Sequence, residues 1–182
     1  IREVGLELYQ QMLEEAVSEA RGLDDAGHDD WSPQIGIGIP VLIPESYVAD
    51  LSLRLALYRR LAGFDDRLQI DAFAAEMIDR FGSLPTEVEN LLQTVAVKQL
   101  CRLAGIDKVE AGPKGAVIGF RQERFANPAG LVDFITSQVG TAKLRPDHKL
   151  VYRRDWNESA ERLAGERHLI KTLAEIACAG EA

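Results

Sequence analysis

Cysteine is scarce. Cys101 and Cys178 are the only two in 182 residues, which excludes a disulfide scaffold and suits a reducing cytoplasm. Each falls in a helical pattern, where a buried inert thiol is the expected outcome. Histidine is nearly as sparse, and His28, His148 and His168 belong to no recognised metal motif. No run approaches ~20 uninterrupted apolar residues, so no segment reads as a membrane span. Positive charge is in deficit: Lys+Arg 21 against Asp+Glu 29 leaves a formal net charge of −8 and a pI near 5.0. That balance argues against a free-standing duplex DNA binder, because phosphate neutralisation needs clustered Lys and Arg; a local basic patch stays open.

Nucleotide and nucleophile motifs are missing as well. Gly112-Pro113-Lys114-Gly115 lacks the spacing and the following helix of a phosphate loop and reads as a hairpin turn. Gly36-Ile37-Gly38 has no third glycine and runs into Pro40, so it reads as strand. No serine stands in a G-x-S-x-G elbow. The chain is therefore expected not to be an enzyme by itself, with catalytic, cofactor and metal residues all entered as none. A stand-alone hydrolase assembled from distant residues is kept as a third alternative.

A 46% hydrophobic and 27% charged composition is that of a globular chain, and its length allows one core plus an appendage. Val4, Leu8, Met12, Ala16 and Ala20 recur at helical spacing before Gly22, so residues 1–21 read as a helix. A chain that opens with Ile1 inside such a helix reads as part of something longer, or as a processed N-terminus. Asp24, Asp25, Asp29 and Asp30 mark an acidic linker, which places a boundary between 1–32 and a domain over 33–182. Alternation at Ile35, Ile37, Ile39 and Val41 predicts a strand, at an edge or cut short because Pro40 cannot donate to a ladder.

Three helices are expected next. Asp50 caps the first, with Leu51, Leu55, Tyr58 and Leu61 inward and Gly63 as its stop. The second spans Arg67 to Phe81, with Ile70, Phe73, Met77 and Phe81 inward. The third opens at Pro85 with Thr86 and Glu89 at capping-box spacing, buries Val88, Leu91, Leu92, Val95 and Leu103, and closes at Gly105. Hairpins over 106–120 and 142–153, a short helix from Asn127-Pro128 and a last helix from about Asn157 complete an α+β fold: a helical group packed with short antiparallel strands.

Two charge features stand out. Lys143, Arg145, Lys149, Arg153, Arg154, Arg162, Arg167 and Lys171 are interleaved with Asp147, Asp155, Glu158, Glu161 and Glu166, the pattern of a solvated face with weak ion pairs. On the second helix, Glu76 and Asp79 project on neighbouring positions of one face. Arg80, four after Glu76, neutralises it in one reading. In the other, the two acids dock basic residues of a partner.

The run Glu76-Met77-Ile78-Asp79-Arg80-Phe81-Gly82-Ser83-Leu84-Pro85 resembles a C-terminal segment of the bacterial transcription-repair coupling factors. So do Ile43-Pro44-Glu45-Ser46-Tyr47-Val48, Leu53-Arg54-Leu55-Ala56-Leu57-Tyr58-Arg59-Arg60 and the opening Val4-Gly5-Leu6-Glu7-Leu8-Tyr9, in the same order and spacing. Phe64 to Asp71 departs from the pattern. The resemblance implies a cytoplasmic bacterial parent that translocates on duplex DNA with ATP and Mg, displaces stalled RNA polymerase and recruits UvrA. It implies that this domain is a monomeric regulatory clamp, which docks on the parent's UvrB-like N-terminal module and masks UvrA binding. Glu76 and Asp79 are implied to lie in that protein interface, facing arginines. A module that contacts DNA or polymerase through Arg153, Arg154, Arg162 and Arg167 is the alternative.

Overall fold

Five helices and five strands follow one another along residues 31–180, the part of the chain that the computed structural model describes. They are β1 (Gln34–Gly36), α1 (Leu51–Ala62), α2 (Arg67–Phe81), α3 (Thr86–Ala104), β2 (Ile106–Gly112), β3 (Gly115–Phe120), α4 (Pro128–Ser137), β4 (Ala142–Leu144), β5 (Leu150–Arg153) and α5 (Ser159–Ala179). The class is α+β. The helix expected over 1–21, most of the acidic linker and His28 lie outside the described residues. Within the domain expected over 33–182, contacts fall into two compact units, Pro40–Val95 and Trp31–Ile39 with Ala96 onward, so the division lies inside α3.

The helical unit is assembled by its caps and turns. Asp50 accepts a hydrogen bond from Leu53 N–H at 2.7 Å and starts α1, while Arg59 and Arg60 occupy the last turn, where cations suit the helix dipole. Asp66 and Gln69 close a full capping box on α2. On α3 the cap falls one residue before the Thr86 and Glu89 pair expected to form a capping box. The Pro85 carbonyl already accepts from Glu89 N–H at 3.1 Å, which makes Pro85 the cap and moves Thr86 inside the helix. Leu57, Leu61, Ile70, Phe73, Met77 and Val88 are buried, as the periodicity predicts for most of them. Leu51, the first residue of its helix, is exposed, and the buried positions of α1 are Leu57, Tyr58 and Leu61. Leu103 is also exposed. Beyond Ala96 the buried positions of α3 are Val97, Cys101 and Ala104, which fall about half a turn round the helix from Val88 and Leu92. Leu103 continues the old stripe into solvent.

The sheet has the order β1-β2-β3-β5-β4 and is mixed rather than antiparallel throughout, since β1 pairs parallel to β2. Register aligns Ile35, Val109, Ile118 and Leu150 across four strands, and the last three are fully buried. They join Val97, Cys101, Ile170 and Leu173 in one core. β1 is an edge strand and stops at Gly36, because Gly38 turns to φ +68 and Pro40 has no N–H. Both hairpins form where expected. Gly115, at φ +117, closes the first one; a Cβ there would run into the Tyr152 carbonyl.

Glu166 is the largest departure from expectation. Assigned above to a solvated face, it is fully buried, and neither carboxylate oxygen has a hydrogen-bond partner among the described residues. Its place in the stripe Leu163, Glu166, Ile170 and Leu173 carries it into the apolar core. Burial pushes its carboxyl up to about 8, and burial beside Glu166 pushes the Cys101 thiol up as well. Cys101 is therefore the inert buried thiol expected, whereas Cys178 is exposed.

Folding thus raises the Glu166 pKa from an ordinary 4.5, and the folded chain holds a proton that the unfolded chain releases. The contribution of Glu166 to stability should be fully present below about pH 4.5 and be lost progressively until about pH 8. In thermal melts, Glu166→Gln should flatten that decline, and an unchanged slope would refute the assignment. A second prediction concerns Gly165, on which the buried Trp156 ring packs so closely that a Cβ has no room. Gly165→Ala, which favours an open helix by about 1 kcal/mol, should here destabilise by about 1–3 kcal/mol in denaturant titrations.

Candidate protein-interaction site

Two segments separate in sequence converge on the C-terminal half of α2. From the turn before α1, the Tyr47 hydroxyl lies 2.8 Å from the Gly82 carbonyl and 3.1 Å from that of Met77, and its ring meets Phe81 edge-on at 5.7 Å. The Ile43 amide donates to the Tyr58 hydroxyl at 2.6 Å, and Arg54 donates to the carbonyls of Val48 and Ala49, so the turn is fastened to α1. From the end of α1, Arg60 grips Glu76 with both guanidinium nitrogens, at 2.9 and 2.7 Å, and lies over the Phe73 ring at 5.2 Å. Gly82, at φ +90, ends α2.

Glu76 and Asp79 share a face of α2 but not a situation. The Glu76 carboxylate accepts from Arg60 and also from Arg80 at 2.8 Å, with its side chain 33% exposed. Hydrogen bonds from Arg60 and then Arg80 hold it down at about 2. Neutralisation by Arg80, one of the two readings above, is thus present, with Arg60 as a second and stronger partner. Asp79 is exposed and has no hydrogen bond or ion pair among the described residues. Two arginines against Glu76 leave one positive charge, which Asp79 balances from one turn further along.

The basic residues of the alternative are not gathered together. Arg153 ends β5, while Arg154 lies over the Tyr152 ring at 5.5 Å. Arg162 is half-buried and donates to the Ile37 carbonyl at 2.9 Å. Arg167, five residues further along α5, points about 140° away. No group of three or more His, Cys, Asp and Glu among the described residues is placed to hold a metal. No helix among them is long and apolar enough to cross a membrane.

Arg60 was within reach of sequence reasoning, which quoted it without pairing it. Two arginines ending one helix, and an acid midway along the next, were the signal.

Loss of the brace should be measurable. Glu76→Gln should lower stability by about 1 kcal/mol or less at pH 7, since the cluster is screened by solvent. Folding depresses this pKa, so its contribution is present above the ordinary 4.5 and fades as pH falls towards about 2. Acid titration of the wild type against Glu76→Gln should show the difference closing over that interval; a constant difference would count against the brace.

Comparison with known proteins places the chain in a family. The model of the TRCF domain family matches residues 37–131, which include all the residues converging on α2. A transcription-repair-coupling factor of Rickettsia bellii is 44% identical over 153 residues, covering 84% of this chain and 14% of that protein. The one from Escherichia coli is 30% identical over 179 residues, covering 97% of this chain and 16% of that protein. This chain thus spans about a seventh of the length of such relatives. A crystal structure of the C-terminal domain of a transcription-repair coupling factor superposes with a TM-score of 0.67 at 22% identity, covering 84% of this chain and 98% of that one, which establishes the shared fold. The chain belongs to the TRCF domain family.

Proposed function

We propose that this chain is the non-catalytic regulatory domain of a transcription-repair coupling factor, docking through α2 on the UvrB-like module of the same protein and covering the surface that takes UvrA. In this reading ATP and Mg belong to motor domains elsewhere in the parent, which translocates on duplex DNA and displaces stalled RNA polymerase. The observation that carries the reading is Asp79, an exposed acid with no hydrogen bond or ion pair among the described residues, on a helix braced at both ends. Asp79 supplies the charge for a cation of the module, and Glu76 holds its helix in position through Arg60. Desolvated interfacial charge pairs couple by about 1.5–7 kcal/mol, well above an exposed pair. Because the module is tethered in the parent, a weak interface suffices at an effective concentration of about 1 mM. A competitor for the clamp then needs to shift the balance by only a few kcal/mol.

Titration of the 182-residue chain against the separately made UvrB-like module, up to about 1 mM, tests this. Binding should weaken with salt and fall about tenfold or more with Asp79→Lys at unchanged melting temperature. In the intact parent the same substitution should increase UvrA binding. Indifference of both readouts to Asp79→Lys would overturn the assignment.

A further inference from the structure

The outward side of α2 is more apolar than an ordinary surface helix. Leu68 is 79% exposed and Ile78 50% exposed, and Ala72 and Ala75 between them are also exposed. Leu68, Ala72, Ala75 and Asp79 follow at i, i+4, i+7 and i+11, so they form one stripe about 16 Å long. Ile78 flanks the stripe beside Ala75, on the side away from Glu76. Asp71, also on that flank, is already paired with Arg67 at 2.9 Å. Asp79 therefore puts an exposed carboxylate with no hydrogen bond or ion pair among the described residues at one end of the stripe, while large aliphatic side chains stand at its start and beside its end.

We propose that this stripe is a helix-packing ridge whose occupant is an amphipathic helix of the partner, with an apolar side against Leu68, Ala72, Ala75 and Ile78 and an Arg or Lys opposite Asp79. The inference rests on the docking reading above and adds the apolar contact to it. Its geometry follows from residue size. Two alanines at the centre let a second helix axis approach closely, and Leu68 at the start of the stripe and Ile78 beside its end enter grooves of the occupant, as ridges do in packed helices. Charge complementarity at Asp79 sets the direction of the occupant, because only one end of the ridge carries an unpaired acid. The ridge is also stiff before it binds. The capping box at Asp66 and Gln69, the grip of Arg60 and the Tyr47 contacts at Gly82 hold α2 along its length, so little ordering is left for association.

The titration of the preceding subsection decides between the two contributions when run with Leu68→Ser/Ile78→Ser and Ala72→Arg beside Asp79→Lys. All three sets of substitutions are at exposed positions, and arginine is a good helix former, so melting temperatures should stay at the wild-type value. With the ridge in contact, Leu68→Ser/Ile78→Ser and Ala72→Arg should each weaken binding about tenfold or more, and the loss should persist at high salt. The negative heat-capacity change of binding should shrink in Leu68→Ser/Ile78→Ser, because less apolar surface is buried. Binding indifferent to both ridge variants but lost with Asp79→Lys would overturn the ridge and leave the acidic reading intact. Binding lost with Ala72→Arg but indifferent to Asp79→Lys would uphold the ridge and overturn the acidic reading. Absence of wild-type binding would overturn both. A fall in melting temperature of the ridge variants would show these side chains packed within the chain itself, and would overturn the ridge.

Discussion

The pairing of Arg60 with Glu76 is the contact on which the helical unit's surface depends, because it joins the end of one helix to the middle of the next. Both nitrogens of a planar guanidinium meet both oxygens of a carboxylate, which fixes orientation as well as distance. The same guanidinium lies over Phe73, whose ring is buried beneath it, so the ion pair is seated on the core. A lysine at position 60 would deliver a charge without the fork or the planar stacking. With Arg60 engaged on one side and Tyr47 on the end of α2, some outward residues of that helix are left with no hydrogen bond or ion pair among the described residues. Asp79, Leu68 and Ile78 are among them.

Two glutamates illustrate how far surroundings override residue type. Glu76, with two arginines and access to water, is held near 2, and Glu166, with neither, is pushed to about 8. The first owes its charge to partners that a one-turn spacing and a neighbouring helix supply. The second is pushed towards its neutral form by burial in an apolar stripe, where no described residue donates to either oxygen. Arg162, one turn before Glu166 on α5, is drawn instead to the Ile37 carbonyl, and its buried Nε is likewise without a partner. Cys101 on α3 is the group whose titration feels Glu166 from the opposite element. In one chain of net charge −8, Glu76 is a strut, Asp79 an exposed acid and Glu166 a buried group whose neutral form is favoured.

How much of this was legible follows from what each signal encodes. Helix limits were readable where a cap and a glycine bracket a periodic run, as Asp50 and Gly63 do for α1, and the span of α2 agrees at both ends with its reading. The strand at Ile35 was readable as an edge because Pro40 forbids a ladder, but its parallel pairing with β2 depends on a partner some seventy residues away and has no local signature. Leu103 was misjudged because a single stripe was extended over a helix whose buried side changes past Ala96. Glu166 was misjudged for the converse reason: its charge was counted and its position in the stripe was not. At the interaction site, the segments that carry the family resemblance were visible as separate runs. That they meet on one helix is a tertiary fact, set by the Tyr47 hydroxyl, the Tyr58 hydroxyl and the Arg60 fork, none of which local spacing specifies.

The division of labour on α2 has a physical consequence for any clamp built from it. An acid that both braces the fold and contacts a partner must break internal bonds before it makes external ones, and the exchange gains little. Placing the brace at Glu76 and the exposed charge at Asp79 avoids that conflict, since Asp79 gives up only water when it meets a cation. The adjoining alanines add no side-chain entropy to be lost on contact, whereas a surface of Lys and Glu at the same positions would lose a good deal. A tethered interface of this kind need not be tight. It has to be specific in register and quick to release, and in the proposed clamp a short stripe ending in an exposed acid would meet both demands: the charge would fix direction, and a modest apolar area would keep a closed state within a few kcal/mol of an open one.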